Sequence, residues 1–255
     1  MDRLVSVLDG WQARGRIAHF WLRDDDAVAP TPALSRLLDL SSRHRVPVTL
    51  AVIPAEAGSS LAGFLAGRPA VDVALHGWSH QNHASPGEKK QELGRHRAHG
   101  AMLEELSEGA VKLKALFGDQ FLPMLVPPWN RIDTGLLPHL GEAGIETLSV
   151  FGPEKPAPVR MVNTHADIMD WHGTRGCRAA GDIVTDVIAR LAAMEARGGV
   201  MGLLTHHLVH DEAAWIFLDA FFAATARHPA CRWATLADLT GGQGDPAQAP
   251  ASSRS

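Results

Sequence analysis

Five short segments of this chain concentrate residue types that do chemistry, and four of them follow an apolar run. Residues 22–27 read Leu-Arg-Asp-Asp-Asp-Ala. Three consecutive carboxylates repel one another unless a cation compensates. A metal held by one of them leaves a neighbour free to act as a base. Residues 76–83 read His-Gly-Trp-Ser-His-Gln-Asn-His, with His76 and His80 four apart. A turn or helix puts both imidazoles on one face, a spacing that suits one divalent cation. Zinc proteases place a Glu base directly after the first His. Gly77 stands there, so the base must come from elsewhere, and Asp25 or Asp26 can provide it. In residues 125–133, Pro127 and Pro128 fix an extended backbone that can aim the next amide, at Trp129, toward a developing oxyanion. In residues 165–173, Asp170 can orient a catalytic His and Trp171 can wall a small pocket. Asp167, His165 and His172 are alternatives in the same turn. In residues 202–211, His206 ends an apolar run, a natural place for a general acid or base near pH 7. On a strand, His206 and His207 point to opposite faces, so only one enters a site. Taken singly, each segment also has an ordinary structural reading: an acidic turn, capping histidines, a rigid loop, or a polar loop around a core Trp.

The elements that must position these segments alternate between two periods. Residues 17–22, 46–53, 71–75, 121–126, 146–151 and 200–205 read as strands, the second strongly β-branched. Residues 31–45 read as a helix with Thr31 as N-cap and Pro32 at the first helical position. Residues 87–117, 136–143, 182–197 and 211–227 also carry helical patterns. Alternating strand and helix argue for parallel β/α units. About seven units fit, in a β/α barrel or a doubly wound sheet, and in barrels the chemistry collects at the C-terminal strand ends. Four of the polar segments fall at those ends. We expect one domain over residues 1–240 and a disordered Gly/Pro/Ala/Ser-rich tail over 241–255.

Composition narrows the function classes. The 255 residues are 45% hydrophobic and 20% charged, with a net charge of −4, which is globular composition without a basic nucleic-acid surface. Cys177 and Cys231 are the only cysteines, so neither a disulfide framework nor a cysteine zinc cluster is available. No apolar run approaches the roughly 18 residues of a membrane span, and no secretory leader is visible at the N-terminus. A cytoplasmic protein is therefore expected. Eight of the 14 histidines fall in three tight groups.

In order, the five segments resemble the motifs of the polysaccharide deacetylase (NodB-homology) family of carbohydrate esterases. The family's first motif ends in Asp-Asp-Gly, and Asp25-Asp26-Ala27 is similar, with Asp24 as an extra carboxylate. His76-Gly77-Trp78-Ser79-His80 resembles its His-x-x-x-His motif. Val126-Pro127-Pro128-Trp129 keeps the prolines and an aromatic of the third motif, but Val126 stands where the family has an Arg. Asp170-Trp171 resembles the fourth motif, and Leu204-Thr205-His206 the fifth. The resemblance covers residues 17–211 and implies a distorted (β/α) barrel of about seven strands.

It further implies metal-dependent hydrolysis of an N-acetyl group on a sugar. Asp26, His76 and His80 would hold a divalent metal, most simply Zn²⁺, with Asp25 as base and His206 as acid oriented by Asp170. Pro128, Trp129, Trp171 and Leu204 would line the substrate site. The family's third-motif Arg pairs with the base, so Arg131 or Arg23 is expected to replace it. The substrate would be a small molecule or oligosaccharide, with neither nucleic acid nor membrane as partner. Three rival readings remain: the same fold acting on a non-polysaccharide amide, an inactive sugar-binding relative, and a phosphoesterase. The complete Asp/His/His set argues against the second. The lack of a phosphate-cradling Gly loop argues against the third.

Overall fold

The computed structural model describes residues 1–241, and all but the first residue of the expected tail lies outside them. A parallel sheet curls into a distorted barrel with helices outside. Its strands are β1 (Ala18–Ala27), β2 (Val48–Val52), β3 (Val71–Leu75), β4 (Phe121–Leu125), β5 (Thr147–Leu148), β6 (Arg160–Met161), β7 (Ala166–Asp167), β8 (Met201–Thr205) and β9 (Cys231–Trp233). The order is β6-β5-β4-β3-β2-β1-β8-β7, with β9 paired to the first residues of β1. Strands β6 and β7 do not pair, so the barrel is open along that seam. The helices are α1 (Asp2–Ala13), α2 (Pro32–His44), α3 (Ser59–Leu65), α4 (His99–Phe117), α5 (Ala180–Arg197), α6 (Glu212–Thr225) and α7 (Leu236–Thr240). No helix among the described residues is long and apolar enough to cross a membrane.

Two apolar layers result from strand alternation. On β1, Phe20 and Leu22 face the helices and join the large outer core. Trp21 faces inward and meets Ala51, Ala74, Met124, Val126, Val162, Val200 and Leu236 in a smaller inner core. The Trp21 indole donates to Thr49 Oγ1 at 2.8 Å, which satisfies its buried N–H. At the lower end Asp72 accepts the Leu236 N–H at 2.6 Å, so α7 is seated beneath the inner core. On β8, a Cβ at Gly202 would come within 2.3 Å of the Asn163 carbonyl oxygen, so only glycine lets the two backbones approach.

The capping signals act as read. Thr31 accepts the Leu34 N–H at 3.0 Å at the start of α2. Three sequence expectations change. Strand β1 runs through the acidic triplet to Ala27, so the carboxylates lie inside the strand. Helix α4 begins only at His99, and residues 81–98 form a loop. The sheet has nine strands, because β6, β7 and β9 are two or three residues long and too short to show a period.

Candidate metal centre and active site

Alternation separates the three consecutive aspartates and gives each its own cation. Asp24 faces outward and is fully buried. It accepts from the His207 imidazole, from the His207 N–H at 3.0 Å and from Thr205 Oγ1 at 2.7 Å. Burial alone would raise the Asp24 carboxyl, but the charge and hydrogen bond of His207 outweigh it and lower it. The same contact raises His207 against the effect of burial. This pair ties the end of β8 to β1, with His206 at the position between the two bonded residues.

Asp25 faces inward and is 2% exposed. Arg23, two residues earlier on the same face, grips it with both arms of its guanidinium: Nε to Oδ1 at 2.9 Å and Nη2 to Oδ2 at 3.0 Å. Arg23 is itself fully buried, with Nη1 donating to Ser149 Oγ and Nη2 to Asn130 Oδ1, both at 2.7 Å. Of the two arginines proposed to stand in for the missing third-motif Arg, Arg23 therefore holds Asp25. Arg131 instead donates to the Lys90 carbonyl. Val126 joins the inner core and contributes its backbone carbonyl to the site, as described below.

Asp26 takes a left-handed backbone, φ 71°, a conformation aspartate tolerates better than most residues. Its Oδ1 lies 3.0 Å from His76 Nε2 and 3.4 Å from His80 Nε2. Burial would raise Asp26, but the hydrogen bond and charge of His76, with the charges of His206 and His80, hold it well below the usual carboxylate range. One ligand atom from each of Asp26, His76 and His80 lies within 4.8 Å of the others. His76 Nδ1 is 2.8 Å from the Val126 carbonyl. A carbonyl can only accept, so Nδ1 carries a proton, and with a metal bound Nε2 would be the coordinating nitrogen, the usual outer-shell arrangement for a metal-binding imidazole. One carboxylate and two imidazoles converging this way fit a borderline divalent ion such as zinc.

The loop that presents the two imidazoles is held by a residue the sequence did not single out. Glu92 is fully buried and accepts the Ser79 N–H at 2.8 Å, the Trp78 N–H at 3.2 Å and Ser79 Oγ at 3.2 Å. Gly77, at φ +57°, passes so close beneath that an added Cβ would sit 2.0 Å from Glu92 Oε2 and 2.7 Å from the Pro128 ring. Glu92 lies in a charged stretch that reads as helix, so its spacing carried no signal. Asn130 and Ser149 were likewise invisible as polar residues in ordinary contexts.

His206 is 12% exposed, with Nε2 3.9 Å from Asp25 Oδ2. His206 Nδ1 is buried without a hydrogen-bond partner among the described residues. Asp170, expected to orient this ring, does not. Its carboxylate caps its own turn, accepting from the Gly173 N–H at 3.0 Å and the Thr174 N–H at 2.9 Å. A short side chain so close to donors on its own loop is satisfied locally. Within this segment it is Asp167 whose charge interacts with His206; burial raises its carboxyl, and its Oδ2 accepts the Trp171 indole N–H at 2.7 Å. Trp171 is 39% exposed and meets the His206 ring edge-on at 4.7 Å.

The other anticipated lining residues fall around the same point. Trp129 packs against the His80 ring at 4.4 Å, with its backbone at φ 56° and ψ 18°. Pro128 is buried beneath Gly77. Leu204 is 1% exposed and sits beside Arg23 in the β1–β8 register. His165 lies away from this group, 3.2 Å from Glu154. His172 is exposed.

No protein-family model matches the chain, and no curated protein sequence does. Solved structures do match. A protein from Mycobacterium smegmatis assigned as a polysaccharide deacetylase is similar at 16% identity and TM-score 0.66, covering 88% of this chain and 89% of that one. The Bc1960 peptidoglycan N-acetylglucosamine deacetylase, solved with an N-hydroxybenzamide, gives 17% identity and TM-score 0.57 over 89% and 94%. A family 4 acetyl xylan esterase from Clostridium thermocellum, solved with a cobalt ion, gives 16% and 0.54 over 87% and 89%. The fold is thus the one shared by polysaccharide deacetylases and family 4 carbohydrate esterases.

Proposed function

We propose that this chain is a metal-dependent hydrolase that removes the acetyl group from an N-acetylated sugar. The observation that carries the reading is the placement of two units side by side at the strand ends. Asp25, clamped by Arg23, faces His206 across 3.9 Å, beside the converging Asp26, His76 and His80. Neighbours of the same fold that act on N-acetylglucosamine or acetyl xylan, one of them with a bound cobalt, support it.

A zinc ion held by Asp26, His76 and His80 would lower the pKa of a water and polarise the acyl carbonyl. Asp25 accepts the proton of the attacking water. Arg23 restricts the Asp25 carboxylate to one orientation, so the base meets the water without a search. His206 donates a proton to the nitrogen that leaves, and acetate and the free amine result. Nucleophile activation and leaving-group protonation thus fall to two different residues whose polar atoms lie 3.9 Å apart. Trp171 edge-on against His206 limits the ring's rotation, and Trp129 walls the other side. The Asp24–His207 pair holds the backbone that carries His206.

The test is acetate release from N-acetylglucosamine oligomers by the zinc-loaded protein. Asp25→Asn and His206→Ala should each keep one zinc per chain and lose roughly a hundredfold or more in turnover. His207→Ala measures the structural pair separately and should show itself mainly in stability. Acetate release that survives Asp25→Asn refutes the proposed base. No release from any N-acetylated sugar by zinc-loaded protein refutes the substrate class.

A further inference from the structure

Beside His80 two cationic side chains, Lys90 and Arg131, stand with no carboxylate in ion-pair contact among the described residues. Lys90 reaches from the loop 81–98 over the Trp129 indole, its Nζ 5.9 Å from the ring centroid. That same indole packs on the His80 ring. Arg131 is adjacent, with Nη1 donating to the Lys90 carbonyl at 3.0 Å. That hydrogen bond ties the Arg131 side chain to the Lys90 main chain, while the Lys90 ammonium lies over the Trp129 ring. Among the described residues neither side chain has an acidic partner. A guanidinium has five N–H donors and an ammonium three, so most of this donor capacity is left without a protein acceptor among the described residues.

The nearby carboxylates are committed elsewhere. Glu92 is turned inward onto Trp78 and Ser79. Glu88 pairs with His96 at 3.1 Å, and Asp133 with His99 at 3.0 Å. Deeper in the cleft Arg23 neutralises Asp25, and Asp26 is shared between two imidazoles. A divalent ion would add to the positive potential. Like charges held together repel, and a cleft concentrates their field.

We propose that Lys90 and Arg131 form an anion subsite, and that the acylated substrate carries a carboxylate or phosphate on the part lying against Trp129. Arg131 supplies the planar fork that matches either group and Lys90 a point charge. The inference rests on this cleft being the active site and extends that reading from an N-acetylated sugar to an anionic one.

The experiment uses zinc-loaded protein and two probes that anchor on the metal whatever the natural substrate is: benzohydroxamate and its carboxylated analogues, substituted at the 3- or 4-position. Binding is measured by calorimetry. At low salt, a carboxylated probe should bind roughly tenfold tighter than benzohydroxamate. The advantage should shrink as salt is raised to about 200 mM. In the double variant Lys90→Gln/Arg131→Gln it should fall below about twofold, while benzohydroxamate itself binds as before. Equal affinity for charged and uncharged probes, or an advantage that survives in the double variant, overturns the subsite and leaves the metal centre standing. If zinc-loaded protein binds neither hydroxamate, the active-site reading itself fails and the subsite falls with it.

Discussion

Replacing Arg23 by methionine should reveal how far the acidic strand depends on one buried cation. The guanidinium is fully buried and makes four hydrogen bonds, two to Asp25 and one each to Ser149 and Asn130. Methionine fills similar length without charge, so Asp25, at 2% exposure, loses both of its donors and water cannot replace them. Stranding one member of a buried ion pair costs about 3–5 kcal/mol. Asp25→Asn strands the arginine and should be costly in its turn. The double variant Arg23→Met/Asp25→Asn leaves no stranded charge and should cost less than the sum of the singles by at least about 2 kcal/mol. Urea unfolding followed by circular dichroism measures all three. Zinc content should stay at one per chain throughout, because Arg23 touches none of Asp26, His76 or His80. Arg23→Lys keeps the charge but loses the two-armed geometry, and turnover should fall about a hundredfold with zinc retained. A cost below about 1 kcal/mol for Arg23→Met, or strict additivity in the double variant, refutes the claim that this pair is a coupled unit.

Three further outcomes test the rest of the site. His76→Ala, His80→Ala and Asp26→Asn should each abolish stoichiometric zinc by elemental analysis, whereas Asp24→Asn keeps it, since Asp24 faces the opposite side of β1; zinc lost only in Asp24→Asn would reverse the register. Gly77→Ala puts a Cβ against Glu92 and Pro128 at a positive φ and should cost at least about 2 kcal/mol in thermal or urea unfolding. Gly63→Ala, in α3 with nothing within 4 Å, should be neutral or stabilising by up to about 1 kcal/mol. His210 is pushed down from 6.5 to about 4, chiefly by burial, with His207 and His206 also disfavouring its proton while Asp24 and Asp211 favour it. Its folded value lies below its unfolded one, so the unfolded chain binds more protons and stability falls as pH drops from 6.5 toward 4, by up to about 3 kcal/mol. His210→Gln should flatten that slope in urea titrations at fixed pH, and an unchanged slope would remove His210 as its source.

The sequence discloses the strands whose apolar runs are long and the polar groups at their ends. It does so because burial on both faces forces continuous apolar runs, as in residues 200–204, most of which lie in β8. It hides β6, β7 and β9, since two or three residues carry no period and are held only by neighbours. It also misleads over residues 87–98, where the charged pattern resembles a helix. The segment is in fact a loop closed by Glu92 under the His76–His80 turn. Asp170 fails as an orienter for a related reason. Its own loop offers backbone donors closer than any distant imidazole, and nothing in the spacing distinguishes it from Asp167.

The acidic triplet is the instructive case. Read along the chain, Asp24, Asp25 and Asp26 are one repulsive cluster in search of a cation. In the fold they never share one. Pleating sends Asp24 outward to His207 and Asp25 inward to Arg23, and a left-handed turn delivers Asp26 to His76 and His80. Each carboxylate thereby gets a different environment: Asp24 clamps β8 to β1, Asp25 is restrained as the proposed base requires, and Asp26 is placed where the proposed metal would need a ligand. Asp25 and Asp26 can then work side by side, because the charge on one is already matched before the other is used. The same pleat explains why Val126 can stand where the third motif has its arginine. A residue two positions before the base on a strand shares its face, so Arg23 reaches Asp25 along β1 instead of across from the loop after β4. What the proposed mechanism asks for is a guanidinium on that carboxylate, and the strand period supplies a second address from which to provide it.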